Sequence, residues 1–241
     1  RFQSMMLVNQ DHSIPPAEHG GGDFTLTREK IGSRYVMVLF RTFANPNDPE
    51  DVKAAHALQD SIKIKQDAQG KFEIPNWDEE SLIKIRKSIN EIAALSVTDF
   101  AGYFGVKDEL DPIKHLLGTA YGWGGNPKEA AMYVNGVPEK NDGTTPYVLD
   151  VKDVPVDGFW SITVYNADGF FEKNELSAYL FNNVTAEPND DGSFTIHFGG
   201  DHKNKNYLPI TKGWNYVVRL YQPRKEVIDG TWKFPDVVPV K

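Results

Sequence analysis

The sequence predicts an α+β chain, with a mixed strand-and-helix N-terminal part followed by an antiparallel, jelly-roll-like β-sandwich. Three observations carry that prediction. The helix-start signals Asp48-Pro49-Glu50-Asp51, Asp78-Glu79-Glu80 and Asp111-Pro112 all lie in the first half. The turn signals Asn141-Asp142-Gly143, Asp168-Gly169, Asp190-Asp191-Gly192 and Asp229-Gly230 all lie in the second. Between those turns run short segments of period-2 alternation, the pattern of a sandwich. The change of texture near residue 136 divides the chain into expected domains 1–135 and 136–241.

The first elements mix strand and loop. Residues 1–8 read as a strand, followed by a loop holding Pro15-Pro16 and Gly20-Gly21-Gly22. Residues 23–27 alternate Phe24 and Leu26 against Thr25 and Thr27, a second strand pattern. Residues 35–43 are nearly all apolar and β-favouring and read as a buried strand. The chain opens without an initiator Met or a signal-peptide pattern, so it is expected to be an excerpt or a processed product.

Three helices follow. Asp48 is a cap, Pro49 suits the first helical position, and Ala55, Leu58 and Ile62 recur at helical spacing. The second helix carries the stripe Leu82, Ile85, Ile89 and Ile92, spaced 3, 4 and 3, with Lys84, Arg86, Lys87, Asn90 and Glu91 mostly off it. The third runs from Asp111-Pro112 through Ile113, Leu116, Leu117 and Ala120 into Gly122-Trp123-Gly124-Gly125-Asn126-Pro127, a strong breaker.

In the second half the strands are expected at 145–151, 159–165, 193–198 and 214–221. Alternation sorts their side chains onto two faces. Trp160, Ile162 and Val164 share one face, and Phe159, Ser161, Thr163 and Tyr165 the other. Trp214, Tyr216, Val218 and Leu220 share one face, and Asn215, Val217, Arg219 and Tyr221 the other. Phe194, Ile196 and Phe198 oppose Ser193, Thr195 and His197. Each main strand thus has one apolar face and one face of hydroxyls and aromatics.

The composition excludes several classes. The 241 residues carry 26 basic and 34 acidic side chains, a net charge of −8, which argues against a nucleic-acid-coating protein. Charged residues break every apolar run well short of the ~18 residues that span a bilayer. There is no cysteine, hence no disulfide, thiolate nucleophile or Cys-ligated zinc. His12, His19, His56, His115, His197 and His202 form no HExxH or other metal-ligand spacing, so no metal and no cofactor is expected. Loop or surface positions suit His12, His19, His197 and His202, and boundary positions His56 and His115. Ser161 lies inside a strand rather than on a G-x-S-x-G elbow, and no histidine can be paired with it from sequence.

An arginine inside a central strand is costly unless it is paired or faces a wet cavity. Arg219 beside Tyr221 is therefore a candidate contact for an anionic or carbonyl-bearing ligand. The plainer reading, a solvated sheet face or a tie to a loop carboxylate, stands beside it. Ser161, Thr163, Tyr165, Asn215, Arg219 and Tyr221 make up the candidate ligand-binding face. The aromatics of the β half suit either core packing or a stacking surface for a ligand.

The residues Asp157-Gly158-Phe159-Trp160-Ser161-Ile162-Thr163-Val164-Tyr165-Asn166 resemble the FWS-x-x-x-Y core of a large bacterial family. Asn206-Tyr207-Leu208-Pro209-Ile210, Gly213-Trp214-Asn215, Arg219-Leu220-Tyr221-Gln222-Pro223 and Gly230-Thr231-Trp232 follow in family order. Earlier segments fit too, among them Pro75-Asn76-Trp77-Asp78 and the run from Asp111-Pro112 to Pro127. That family pairs two domains of unknown function, 1254 (N-terminal, here incomplete) and 1214 (C-terminal). The resemblance implies the mixed-then-sandwich architecture and an exported, periplasmic or secreted setting. Relatives usually carry a cysteine pair in the stretch equivalent to residues 199–208, which has none here. Some relatives are labelled carboxylesterase, but no elbow or triad order supports that label in this chain.

Three functions are therefore expected to compete. The first is a module that binds a small organic ligand or glycan. The second is a hydrolase or lyase on a small ester, amide or sugar derivative, with Tyr165, Arg219, Tyr221 or a nearby carboxylate as acid/base groups. The third is an oligomeric envelope or interaction protein. A small-molecule partner and a homo-oligomer both fit; nucleic acid and a membrane span do not.

Overall fold

The computed structural model describes residues 1–15, 17–96 and 102–240; Pro16 of the expected Pro15-Pro16 loop lies outside them. The chain divides into two compact units, Arg1–Pro127 and Lys128–Lys241.

The first unit contains β1 (Gln3–Asn9), β2 (Glu18–His19), α1 (Arg28–Ile31), β3 (Val36–Thr42), α2 (Pro49–Asp60), α3 (Glu79–Ser96) and α4 (Pro112–Tyr121). Its sheet has the order β2-β1-β3, all antiparallel. β1 is central and buried on both faces. Met6 and Val8 pack with Ile14, Tyr103 and Phe104, and Met5 and Leu7 pack with Ile31. The apolar run at 35–43, expected to be a buried strand, is instead the edge strand β3, and Met37 and Phe40 are exposed. Residues 23–27 form no strand, because Thr27 is the N-cap of α1, its hydroxyl accepting from the Lys30 N–H at 3.2 Å. That side-chain bond to the backbone competes with strand pairing.

The helix-start signals act through capping. Asp48 accepts from the N–H groups of Glu50 and Asp51 at 3.0 and 3.3 Å. Asp111 accepts from Ile113 and Lys114, both at 2.9 Å. Each satisfies donors that a helix start leaves without intrahelical partners. The stripe of α3 behaves differently from a core stripe. Ala93 is fully buried and Ile89 is half-buried, but Leu82, Ile85 and Ile92 are exposed.

The second unit contains β4 (Ala131–Gly136), β5 (Tyr147–Val151), β6 (Trp160–Tyr165), β7 (Leu180–Asn182), β8 (Phe194–Phe198), β9 (Tyr207–Leu208), β10 (Asn215–Tyr221), α5 (Lys225–Ile228) and β11 (Val238–Pro239). They form two four-stranded sheets, β4-β10-β6-β7 and β11-β5-β8-β9. Pairing is antiparallel except for the short parallel pair β8/β9. One core lies between the sheets. Trp160, Ile162, Val164, Tyr216, Val218 and Leu220 from one meet Tyr147, Leu149, Val151, Ile196 and Phe198 from the other, around a fully buried Trp214. The inward set on β6, β8 and β10 is the apolar set of the alternation. The fold is α+β with a jelly-roll-like sandwich as its second part.

Candidate functional site

The pairing of β6 with β10 determines which outward side chains meet. Asn215 lies opposite Tyr165, Val217 opposite Thr163, and Arg219 opposite Ser161. Because Trp160, Ile162, Val164, Tyr216, Val218 and Leu220 point into the core, the intervening residues share the outer face. All six sequence candidates therefore lie on one face of two neighbouring strands. Ser161, Thr163 and Tyr221 are buried there, and Tyr165, Asn215 and Arg219 are half-buried.

Arg219 is the centre of this face. Its Nη1 donates to the Thr163 hydroxyl oxygen at 3.1 Å and its Nη2 to the Tyr165 phenol oxygen at 2.8 Å. The guanidinium carbon sits 5.9 Å from the Tyr165 ring centre. Both hydrogen-bond partners are neutral oxygens. Among the described residues no carboxylate forms a salt bridge with Arg219, which removes the loop-carboxylate tie as the reason for its position. The remaining candidates have local roles. Asn215 donates to the Asn166 carbonyl oxygen at 2.9 Å, holding the start of the loop after β6. Tyr221 stacks on Phe159 at 4.2 Å and 15°. Ser161 is flanked on the sheet by Arg219 and Asn182. Neither neighbour is a general base for a serine nucleophile.

A small open groove, with about 90 Å³ of enclosed space, lies beside this face. Tyr165 lines it, together with Asn166, Glu172, Lys173, Asn174 and Tyr179. Tyr165 is the only one of the six candidates in that lining. Phe171 is stacked between two tyrosines, 5.3 Å from Tyr165 at 10° and 5.1 Å from Tyr179 at 28°, so three rings form a ladder. The loop that carries it is held by its own amides. Asn166 accepts from the N–H groups of Asp168 and Phe170, at 3.1 and 3.0 Å, and donates to Glu172 at 3.0 Å. Asn174 binds both the N–H and the carbonyl of Ala178. Sequence reasoning missed the polar groove residues Glu172, Lys173 and Asn174. Their only signal is position, in the loop opened by the Asp168-Gly169 turn. It also missed Tyr133 and Asn135 of β4, which lie opposite Arg219 and Val217.

His19, His56 and His202 are exposed, whereas His12 and His115 are less superficial than their loop and boundary positions suggest. His12 is half-buried, with its ring 5.2 Å from Trp123, 6.1 Å from Phe104 and 6.0 Å from His115. Its Nε2 accepts from the Gly124 N–H at 3.0 Å. Burial, and then the proximity of His115, pull its pKa down to about 4. The two ring nitrogens of His115 lie 3.0 Å from the Tyr103 carbonyl oxygen and 3.1 Å from that of Asp11. Both rings are thus engaged with backbone. Among the described residues no group of three His, Asp or Glu side chains is placed to hold a metal ion. Nor, among them, is any helix long and apolar enough to cross a membrane.

Residues 130–225, within the second unit, match the family described as a protein of unknown function, DUF1214. No curated protein matches the chain. Among solved structures, the VPA0106 protein from Vibrio parahaemolyticus is similar with a TM-score of 0.69 at 18% identity, over 100% of this chain and 82% of that one. An uncharacterized protein from Burkholderia cenocepacia is similar with a TM-score of 0.52 at 12% identity, over 100% and 69%. At these identities what is shared is the fold.

Proposed function

We propose that this chain binds a small organic ligand or glycan at the outer face of the β4-β10-β6-β7 sheet and the adjoining groove. The observation that carries the reading is Arg219, a half-buried guanidinium held by two neutral oxygens, Thr163 Oγ1 and Tyr165 Oη. A guanidinium offers five N–H donors, and these two bonds engage only part of that fork. A carboxylate, phosphate or carbonyl oxygen is the natural further acceptor, because a bidentate charge-assisted bond is stronger than a neutral one. The Tyr165-Phe171-Tyr179 ladder provides a flat apolar surface, and Lys173 supplies a donor along the groove. The ligand is therefore expected to carry one anionic or carbonyl group for Arg219 and one flat or sugar-like face for the rings. We assign residues 1–135 on the same reading to the tail of the N-terminal partner domain, 1254, together with the helices that follow it, and an exported setting goes with that assignment.

The experiment is a binding screen of the protein by ligand-observed NMR. It compares aryl carboxylates, hexuronates and neutral hexoses of similar size. Saturable binding of members carrying both features supports the reading. Equal indifference to all three classes at millimolar concentration contradicts it.

A further inference from the structure

The outer sheet face around Arg219 is lined by apolar side chains. Leu180 of β7 and Val217 of β10 lie directly opposite Thr163 on its two neighbouring strands. Opposite residues share a face, so both border the hydroxyl that Arg219 holds. Leu180 is also the diagonal neighbour of Tyr165, and it is 41% exposed. The loop that precedes it exposes Phe170, Phe171 and Leu176. These four are half of the 8 exposed large apolar side chains among the described residues of Lys128–Lys241, so exposed apolar surface in this unit gathers beside the groove.

The amides of the groove are already spent on the chain. Asn174 gives both Nδ2 hydrogens to the carbonyls of Glu172 and Ala178, at 3.2 and 3.1 Å, and its Oδ1 takes the Ala178 N–H at 3.0 Å. Asn166 accepts from two backbone N–H groups and donates to Glu172 Oε2. Asn215 donates to the Asn166 carbonyl. A sugar ring presents several hydroxyls, each a donor and an acceptor, and every one taken out of water needs a partner. The cations are in the opposite condition. Among the described residues neither Arg219 nor the groove residue Lys173 has a carboxylate partner.

We infer that the ligand is an amphiphilic organic acid, an aryl or alkyl carboxylate, rather than a glycan. The inference rests on the binding function proposed above and narrows its ligand class. The carboxylate meets the Arg219 guanidinium beside Tyr165 Oη, and the apolar body lies over Leu180 and along Phe171. Burial of that body is favourable in proportion to the apolar area removed from water. It asks for no hydrogen bond from amides that are already engaged.

The test is calorimetric titration of the protein with 3-phenylpropanoate, octanoate and galacturonate, which carry the same charge on different bodies. Both apolar acids are expected to bind at least tenfold more tightly than galacturonate. Leu180→Gln and Phe171→Gln, both at exposed positions, are expected to weaken the apolar acids several-fold at a melting temperature close to that of the parent, and to leave galacturonate unchanged. Galacturonate binding as tightly as the apolar acids, or more tightly, overturns the inference while the binding function stands. Apolar acids that bind both folded variants as well as the parent overturn it too. No binding of any of the three at millimolar concentration contradicts the binding function itself, and the inference falls with it.

Discussion

The Nη2 of Arg219 donates to the phenol oxygen of Tyr165 across two strands at 2.8 Å, and the guanidinium carbon lies 5.9 Å from that tyrosine's ring centre. One side chain thus serves as acceptor for the cation and as a rung of the Phe171 ring stack. Tyr165→Phe separates the two roles, since it keeps the ring and removes the acceptor. The expected cost is about 1 kcal/mol of stability, read as a lower urea midpoint with an unchanged slope. Affinity for any ligand that needs the cation should fall several-fold because the guanidinium loses one of its fixed contacts.

Asn206 is buried with φ of 52°, in the left-handed region where Asn is tolerated better than most residues. Its Oδ1 accepts from the Glu187 N–H at 2.8 Å, and its Nδ2 donates to the carbonyls of Glu187 and Thr195 at 2.9 and 3.0 Å. Asn206→Ala removes all three bonds and keeps the backbone strain, with an expected cost of about 3–4 kcal/mol. Asn206→Gly loses the same bonds but not the conformation, so its melting temperature is expected to lie above that of the alanine variant.

Gly136 lies directly opposite Tyr216 on the β4/β10 pair, and a Cβ built at Gly136 would fall 1.9 Å from the Tyr216 ring. Tyr216 is part of the sandwich core and has little room to move. Gly136→Ala is expected to destabilise the second unit by about 2–3 kcal/mol through overpacking. Differential scanning calorimetry reads the shift directly.

The pH dependence of the first unit follows from His12, whose pKa falls from 6.5 to about 4 on folding. Above pH 6.5 the ring is neutral in both states and stability is flat. Between pH 6.5 and 4 the unfolded chain binds a proton that the fold refuses, so stability falls as pH falls. Below about 4 both states are protonated and the loss is complete. The ring is only half-buried, so the loss is about 1–2 kcal/mol rather than the full shift. His12→Asn, which tolerates the local φ of 61°, should flatten stability across that window. A second loss begins lower. Asp191 is held at about 2 by the Ser193 hydroxyl and N–H, and Asp142 well below the usual range by the N–H groups of Thr145 and Thr144. Stability from these carboxylates is present above about 4 and disappears as pH falls through their folded values. Amide exchange as a function of pH separates the two windows by unit.

The strand faces were legible because a period of two has only two solutions once one face is apolar. Trp160, Ile162 and Val164 could go only to the core, and that alone put Ser161, Thr163 and Tyr165 together outside. The helix starts were legible because Asp48 and Asp111 cap through their own side chains, a local event. What escaped depended on order in space. Nothing in residues 35–43 says that β1 takes the centre of its sheet and leaves β3 at the edge. The α3 stripe has a core pattern but faces outward, because pattern shows that a face needs covering and not what covers it. The groove was missed for a related reason. In the sequence Phe171 and Tyr179 suit core packing or a stacking surface alike, and only the loop amides of Asn166 and Asn174 fold them against Tyr165.

Whether Arg219 recognises a ligand or merely fills a sheet face is tested most directly by calorimetric titration. The best aryl carboxylate or hexuronate from the screen is titrated into the protein and into Arg219→Met at matched pH and salt. The expected result is at least a tenfold loss of affinity in Arg219→Met, about 1.4 kcal/mol or more, with a melting temperature close to that of the parent. Undiminished binding by a folded Arg219→Met protein would contradict ligand recognition by this arginine.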